Sequence, residues 1–133
     1  MQRQLLLLTF FLLTANRLAF AQCPNAATER AALMALYNAT NGANWTTNTN
    51  WNTAADIDTW YGVTTNGNGC VTELDLFNNN LVGSLSAEIG GLSSLTLLKL
   101  NANKLSGSIP TEIATIGNLE TLELHRNTLS GSI

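Results

Sequence analysis

The chain has 133 residues, with 6 basic against 9 acidic side chains, 45% hydrophobic and 11% charged residues, 10 Gly, 2 Cys and 1 His. That length bounds it at one domain, and a charged fraction so far below the roughly 25% of an average soluble domain excludes intrinsic disorder, which needs high charge and few apolar residues. A net charge of −3 offers no basic stripe to neutralise phosphates, which argues against nucleic acid, and one His with two unclustered Cys excludes the usual three- or four-ligand zinc arrangements.

Residues 1–21 read as a secretory signal peptide: Arg3 precedes the apolar run Leu5 to Leu13, a more polar stretch with Asn16 and Arg17 follows, and Ala19-Phe20-Ala21 is a small-x-small cleavage site. A membrane anchor would need about 20 apolar residues, and Arg17 interrupts the run too early. Gln22 ahead of Cys23 is not the small residue that normally precedes a lipid-modified Cys. After cleavage four basic residues remain, Arg30, Lys99, Lys104 and Arg126, against nine acidic ones, a net of −5. The expectation is an acidic, secreted or surface-exposed protein with no membrane span.

Residues 22–70 do not repeat. Thr28 to Ala39 carries Leu33, Leu36 and Tyr37 at the i, i+3, i+4 spacing of one helical face. Asn25 or Thr28 can cap its start, and Asn41-Gly42 stops it. The Asn- and Thr-rich stretch that follows holds every Trp in the chain, Trp45, Trp51 and Trp60, and core packing is the expected role for such large apolar areas. In an exported chain an even Cys count favours pairing, so Cys23 and Cys70, 47 residues apart, are disulfide candidates whose bond would be worth about 4 kcal/mol. Two free buried thiols are the alternative. Asn38-Ala39-Thr40 and Asn44-Trp45-Thr46 are glycosylation acceptors if the host is eukaryotic.

From residue 71 the sequence aligns on itself with a period of 24, as 71–94, 95–118 and an incomplete 119–133. Leu74, Leu98 and Leu122 recur at this spacing, as do Leu76, Leu100 and Leu124. Asn79, Asn103 and Asn127 follow, then Leu81, Leu105 and Leu129, and Gly83, Gly107 and Gly131. Each unit reads L-x-x-L-x-L-x-x-N-x-L, the leucine-rich repeat pattern. The x-L-x-L-x segment predicts a short strand with leucines pointing into the coil and alternate residues pointing out. The three asparagines sit where the chain leaves the strand, placed to bond the unpaired backbone groups of the turn.

LSGSIPTEI in the second unit resembles the plant-type repeat signature L-x-G-x-I-P. ERAALMALYNATNGANW, with WYGV at 60–63, resembles the N-terminal cap of plant-type leucine-rich repeat proteins. The resemblance implies an α/β-type solenoid: a right-handed coil with short parallel strands on a concave face, a second short strand in each unit, a superhelical twist, and a helical N-terminal cap over 22–70. This chain departs from the plant form, which often places a Cys directly after W-x-G-V; here Thr64-Thr65 stand there and the Cys is delayed to Cys70. The Cys23–Cys70 pairing is therefore not carried over from the family.

The outward strand positions form the columns Glu73/Leu97/Thr121, Asp75/Lys99/Glu123, Phe77/Asn101/His125 and Asn78/Ala102/Arg126. Such columns line the surface that solenoids present to ligands, with Phe77, His125 and Arg126 the sharper candidates. Glu73, Asp75, Phe77, Asn78, Leu97, Lys99, Asn101, Thr121, Glu123, His125 and Arg126 are thus the candidate binding residues, while Asn79, Asn103 and Asn127 are structural. The acidic pairs Glu73 with Asp75 and Glu120 with Glu123 show nothing that would shift their pKa values apart, and His125 has no Ser or Cys partner in a recognisable elbow. No catalytic, cofactor-binding or metal-binding residue is expected. The expected function is binding of a protein or peptide, with a glycan- or ice-contacting solenoid and a receptor kinase ectodomain fragment as alternatives. The third unit stops before its return segment, so the sequence reads as the N-terminal piece of a longer protein.

Overall fold

A computed structural model describes residues 22–131; the signal-peptide reading of residues 1–21 lies outside these described residues, as do residues 132 and 133. Helix α1 (Ala26–Ala39) starts two residues ahead of the expected Thr28. Asn25 occupies the N-cap without a side-chain capping bond. Its Nδ2 instead donates to Ser93 Oγ at 3.0 Å. The helix ends where the Thr40 N–H returns to the Leu36 carbonyl at 3.0 Å and Asn41 turns left-handed at φ 57°, a conformation Asn tolerates better than most residues. The buried face is Glu29, Ala32, Leu33 and Leu36, an i, i+3, i+4, i+7 stripe. It packs on the 3-10 turn Ala87–Gly91. At the far end of α1, β3 comes so close that a Cβ on Gly83 would collide with the Ala39 carbonyl oxygen.

Seven short strands follow: β1 (Val63–Thr65), β2 (Val71–Asp75), β3 (Val82–Ser84), β4 (Leu97–Lys99), β5 (Lys104–Ser108), β6 (Thr121–Glu123) and β7 (Thr128–Ser130). They form two sheets, ordered β1-β2-β4-β6 and β3-β5-β7. In the first, Glu73 pairs with Leu97 and Leu97 with Thr121, so parallel partners lie one repeat apart. In the second, Ser84 pairs with Ser106 and Ser106 with Thr128. These partners lie two residues short of the repeat, so the second sheet slips along its strands by about 6.6 Å per coil. A slip of two keeps every side chain on its own face, whereas a slip of one would invert them all. The second strand that the family resemblance implies is therefore present in each unit, but on a different stagger from the first.

Between the sheets lies the core. Leu74, Leu76, Leu81, Leu92, Leu95, Leu98, Leu100 and Leu105 are each 0% exposed. In the third unit Leu122 is 42% exposed, because it lies on the C-terminal face of the stack. It helps to line an apolar groove of about 410 Å³ with Ile113, Ile116 and Leu119.

At the opposite end β1 covers the sheet edge, antiparallel to β2, so the first sheet is not wholly parallel. The turn that reverses the chain is held by Asn66, whose carbonyl accepts the Gly69 N–H and whose Oδ1 accepts the N–H groups of Asn68 (3.0 Å) and Cys70 (3.1 Å). The three tryptophans, 2 to 5% exposed, form one aromatic core with Tyr37. Each indole N–H donates to a backbone carbonyl: Trp45 to Thr40, Trp51 to Tyr61 and Trp60 to Ala55. Arg30 lies over the Trp60 ring, 4.9 Å from its centroid, and donates to the Thr53 and Ala55 carbonyls.

The repeat asparagines tie coil to coil. Asn103 Oδ1 accepts the N–H groups of Asn79 (2.9 Å) and Leu81 (3.0 Å), while Nδ2 donates to the carbonyls of Leu76 and Leu100, both at 2.9 Å. Asn127 repeats this one coil on, with Oδ1 on Leu105 N–H and Nδ2 on the Leu100 and Leu124 carbonyls. Asn79 has no preceding repeat to reach, and it turns to Thr47 instead: Oδ1 accepts the Thr47 N–H at 2.7 Å and Nδ2 donates to its carbonyl at 2.9 Å. At this point the N-terminal segment takes the place of a coil.

Cys23 and Cys70 form a disulfide. Beside it Glu29 is fully buried, and its Oε2 accepts the Val71 N–H at 2.8 Å, at the start of β2. Burial pushes this carboxyl above the ordinary carboxylate range, and the bond from Val71 offsets only part of the rise. The folded chain therefore holds this proton more tightly than the unfolded chain does. Stability from this group is full below the ordinary carboxylate value and falls as pH rises through the raised one. Replacing Glu29 with Gln is expected to flatten that part of the profile of melting temperature against pH. An unchanged profile would mean that Glu29 titrates in the folded state as it does in the unfolded one.

Candidate binding surface

Two-residue side-chain alternation in β2, β4 and β6 buries Leu74 and Leu98 and turns the intervening residues outward. The in-register pairing stacks Glu73, Leu97 and Thr121 in one column and Asp75, Lys99 and Glu123 in the next. Glu73 and Asp75 are exposed, while Leu97, Lys99, Thr121 and Glu123 are half-buried. Lys99 Nζ reaches Asp75 Oδ2 at 3.5 Å, the only ion pair among the described residues. Partly solvated as it is, this pair is worth a few tenths of a kcal/mol. Asp75 Oδ1 also accepts the Phe77 N–H at 3.1 Å, which fixes the backbone just before the aromatic side chain.

Phe77 is 49% exposed, the most exposed large apolar side chain among the described residues. Its column does not continue outward as the alternation suggests. Asn101 is 5% exposed, and its Nδ2 lies 3.3 Å from His125 Nε2. Asn101 is therefore corrected from an exposed candidate to a buried one, with the His125 ring beside it. Asn78, Ala102 and Arg126 lie beyond the strands in left-handed backbone, at φ 48°, 57° and 57°. Repetition of this rare conformation at one position places Asn78 and Arg126 at the rim of the sheet. Both are exposed, as is His125.

Of the sequence candidates, then, the structure exposes Glu73, Asp75, Phe77, Asn78, His125 and Arg126, the last four where the chain leaves the strands. The asparagines 79, 103 and 127 serve the backbone. Two features had no signal in the repeat pattern: the contact of Asn79 with Thr47, and the burial of Glu29 against the disulfide.

A family model for the Leucine Rich Repeat matches residues 70–92 and 94–116. Among solved structures, the BIR2 ectodomain from Arabidopsis thaliana is similar to this chain at a TM-score of 0.67 and 29% identity, over 79% of this chain and 58% of that one. A chain of the BIR3–SERK2 complex from Arabidopsis thaliana gives a TM-score of 0.63 at 30% identity, over 77% of this chain and 57% of that one. The ectodomain of the receptor kinase SOBIR1 from Arabidopsis thaliana, at 24% identity and a TM-score of 0.60, shares the fold over 77% of this chain and 55% of that one. The chain thus spans between 55% and 58% of the length of these three structures. No curated protein matches the sequence.

Two stacked parallel ladders, inward leucine columns and bridging asparagines define a leucine-rich repeat solenoid. Its repeats match the Leucine Rich Repeat family model, and the chain is similar in fold to plant receptor ectodomains. None of its described helices is long and apolar enough to cross a membrane.

Proposed function

We propose that the chain is an extracellular recognition module that binds a protein or peptide on the solvent face of the β2-β4-β6 sheet, and that it has no catalytic role. In this reading residues 1–21 direct export, 22–70 cap the N-terminal end of the stack, and 71–133 supply the repeats. The observation that carries it is a half-exposed phenylalanine held on an in-register sheet, with His125 and Arg126 exposed on the same side. Aromatic and Arg side chains on a rigid support are the usual anchors of protein interfaces. The BIR3–SERK2 structure, to which this chain is similar, is a complex of two proteins. The three tryptophans, the largest rings a glycan reader could stack on sugars, are all spent in the interior.

The test is a selection of peptides from a displayed random library, followed by titration of the selected peptides against a Phe77→Ala/His125→Ala/Arg126→Ala variant. Loss of roughly tenfold or more in affinity, about 1.4 kcal/mol, with an unchanged melting temperature is the expected result. Equal affinity of the folded variant removes the assignment of this face. Selection of carbohydrates from a glycan array in place of peptides would transfer the function to the alternative class.

A further inference from the structure

The sequence offers no clustered metal ligands, yet the fold assembles one set. Cys23, Glu29 and Cys70 each present a ligand atom, and the three atoms lie within 4.8 Å of one another. The two sulfurs belong to residues 6% exposed and the carboxylate to a residue 0% exposed. Glu29 Oε2 is engaged by the Val71 N–H. Its Oε1 is buried and has no hydrogen-bond partner among the described residues. A buried, unpartnered carboxylate oxygen is costly, and the two sulfurs beside it have no hydrogen to donate while they are joined.

We propose that Cys23, Glu29 and Cys70 constitute a redox-gated site for a thiophilic divalent cation of the zinc type, shut while the disulfide stands and opened by its reduction. A dithiol supplies the two electrons and two protons: the Sγ–Sγ bond breaks, two protein thiols form, and the reductant leaves as its own disulfide. The cation then displaces both thiol protons and takes two thiolates and one carboxylate oxygen, a donor set that suits zinc or cadmium. Zn–S distances of about 2.3 Å at a tetrahedral angle set two sulfurs about 3.8 Å apart, a separation that only breaking the Sγ–Sγ bond allows, and the Glu29 carboxylate already lies within 4.8 Å of both. The site has a way in, because a cavity of about 470 Å³ is walled by Cys23, Arg30, Asp56 and Gly69. The Val71 bond fixes Glu29 from one side, which leaves the second oxygen as the ligand.

The whole chain, reduced with dithiothreitol and transferred without oxygen into reductant-free buffer, is titrated with Cd2+ while ultraviolet thiolate-to-cadmium absorbance and the melting temperature are followed. The expected result is one Cd2+ per chain, an absorbance band that the oxidised chain lacks, and a higher melting temperature for the reduced chain with metal than without. Glu29→Gln retains an acceptor for Val71 but loses the anionic ligand, and should weaken Cd2+ binding by roughly tenfold or more while the oxidised variant melts as a folded protein. Three outcomes overturn the proposal: no band in the reduced chain, equal affinity in the Glu29→Gln variant, or binding with no rise in melting temperature, the behaviour of an unfolded dithiol.

Discussion

Replacing Asn103 with alanine is expected to lower the stability of the chain by about 3–5 kcal/mol, read as the free energy of urea unfolding. The side chain satisfies two N–H groups, those of Asn79 and Leu81, and two carbonyls, those of Leu76 and Leu100. Alanine strips all four bonds and leaves three of these groups without a side-chain partner, since the Leu100 carbonyl keeps the bond from Asn127 Nδ2. Each buried backbone group left without a partner costs about 1–3 kcal/mol, and the estimate sits at the low end of their sum because Asn103 is half-buried and water reaches part of the gap. Asn103→Asp is expected to be no better, since it sets a carboxylate oxygen against the two carbonyls that Nδ2 now serves. The internal control is Asn127, which makes the same kind of bonds on the C-terminal face of the stack with its own residue half-buried. There solvent replaces more of the lost bonds, and about 1–2 kcal/mol is expected for Asn127→Ala. Equal losses at the two positions would show that the asparagines act as local turn formers and not as ties between coils.

That ladder also marks where the sequence can be read and where it cannot. A leucine at every twenty-fourth residue constrains the fold because no other arrangement buries all the columns at once, so the parallel pairing Glu73 to Leu97 to Thr121 follows from the period itself. The stagger of the second sheet does not follow. It depends on how far Ser84 and Ser106 slip past one another, and both alternatives leave the same residues outward. The β1-β2 hairpin had a local signal, Asn66-Gly67-Asn68-Gly69 between Val63-Thr64-Thr65 and Val71-Thr72-Glu73. Three-residue strands are too short for alternation to single them out. Asn101 was misplaced for a different reason. Alternation says which way a side chain points from the backbone, but it is silent on whether a larger neighbour then packs against it, as His125 does at that position. Glu29 sits on the helical face where an apolar residue is expected, and only the approach of Val71, 42 residues away, gives its charge a place.

Removal of the disulfide is the second large effect, and it is expected to act through the unfolded chain. A cross-link 47 residues long holds α1, the tryptophan cluster and β1 in one loop, and freeing such a loop costs about 4 kcal/mol in the chain-entropy model. The choice of replacement separates this entropy from a local contact. Serine at positions 23 and 70 puts a hydroxyl near the unpartnered Glu29 Oε1, and a hydrogen bond to a charged acceptor recovers about 1.5–3 kcal/mol. Alanine offers nothing there. The Cys23→Ala/Cys70→Ala variant is therefore expected to be less stable than Cys23→Ser/Cys70→Ser, and the gap should close at a pH low enough to protonate Glu29 in both. The mode of unfolding should also change. In the intact chain the Thr47 bonds to Asn79 and the packing of α1 on the turn Ala87–Gly91 couple the N-terminal segment to the first coil, so tryptophan fluorescence, which reports that segment, and far-ultraviolet circular dichroism, which reports the whole chain, should follow one transition. Without the cross-link the segment can detach first, because a solenoid's stability is a sum of units and of the interfaces between neighbours. Fluorescence leading circular dichroism in the alanine variant is the expected signature. Coincident curves would mean that the interface alone, and not the covalent tie, makes the segment fold with the stack.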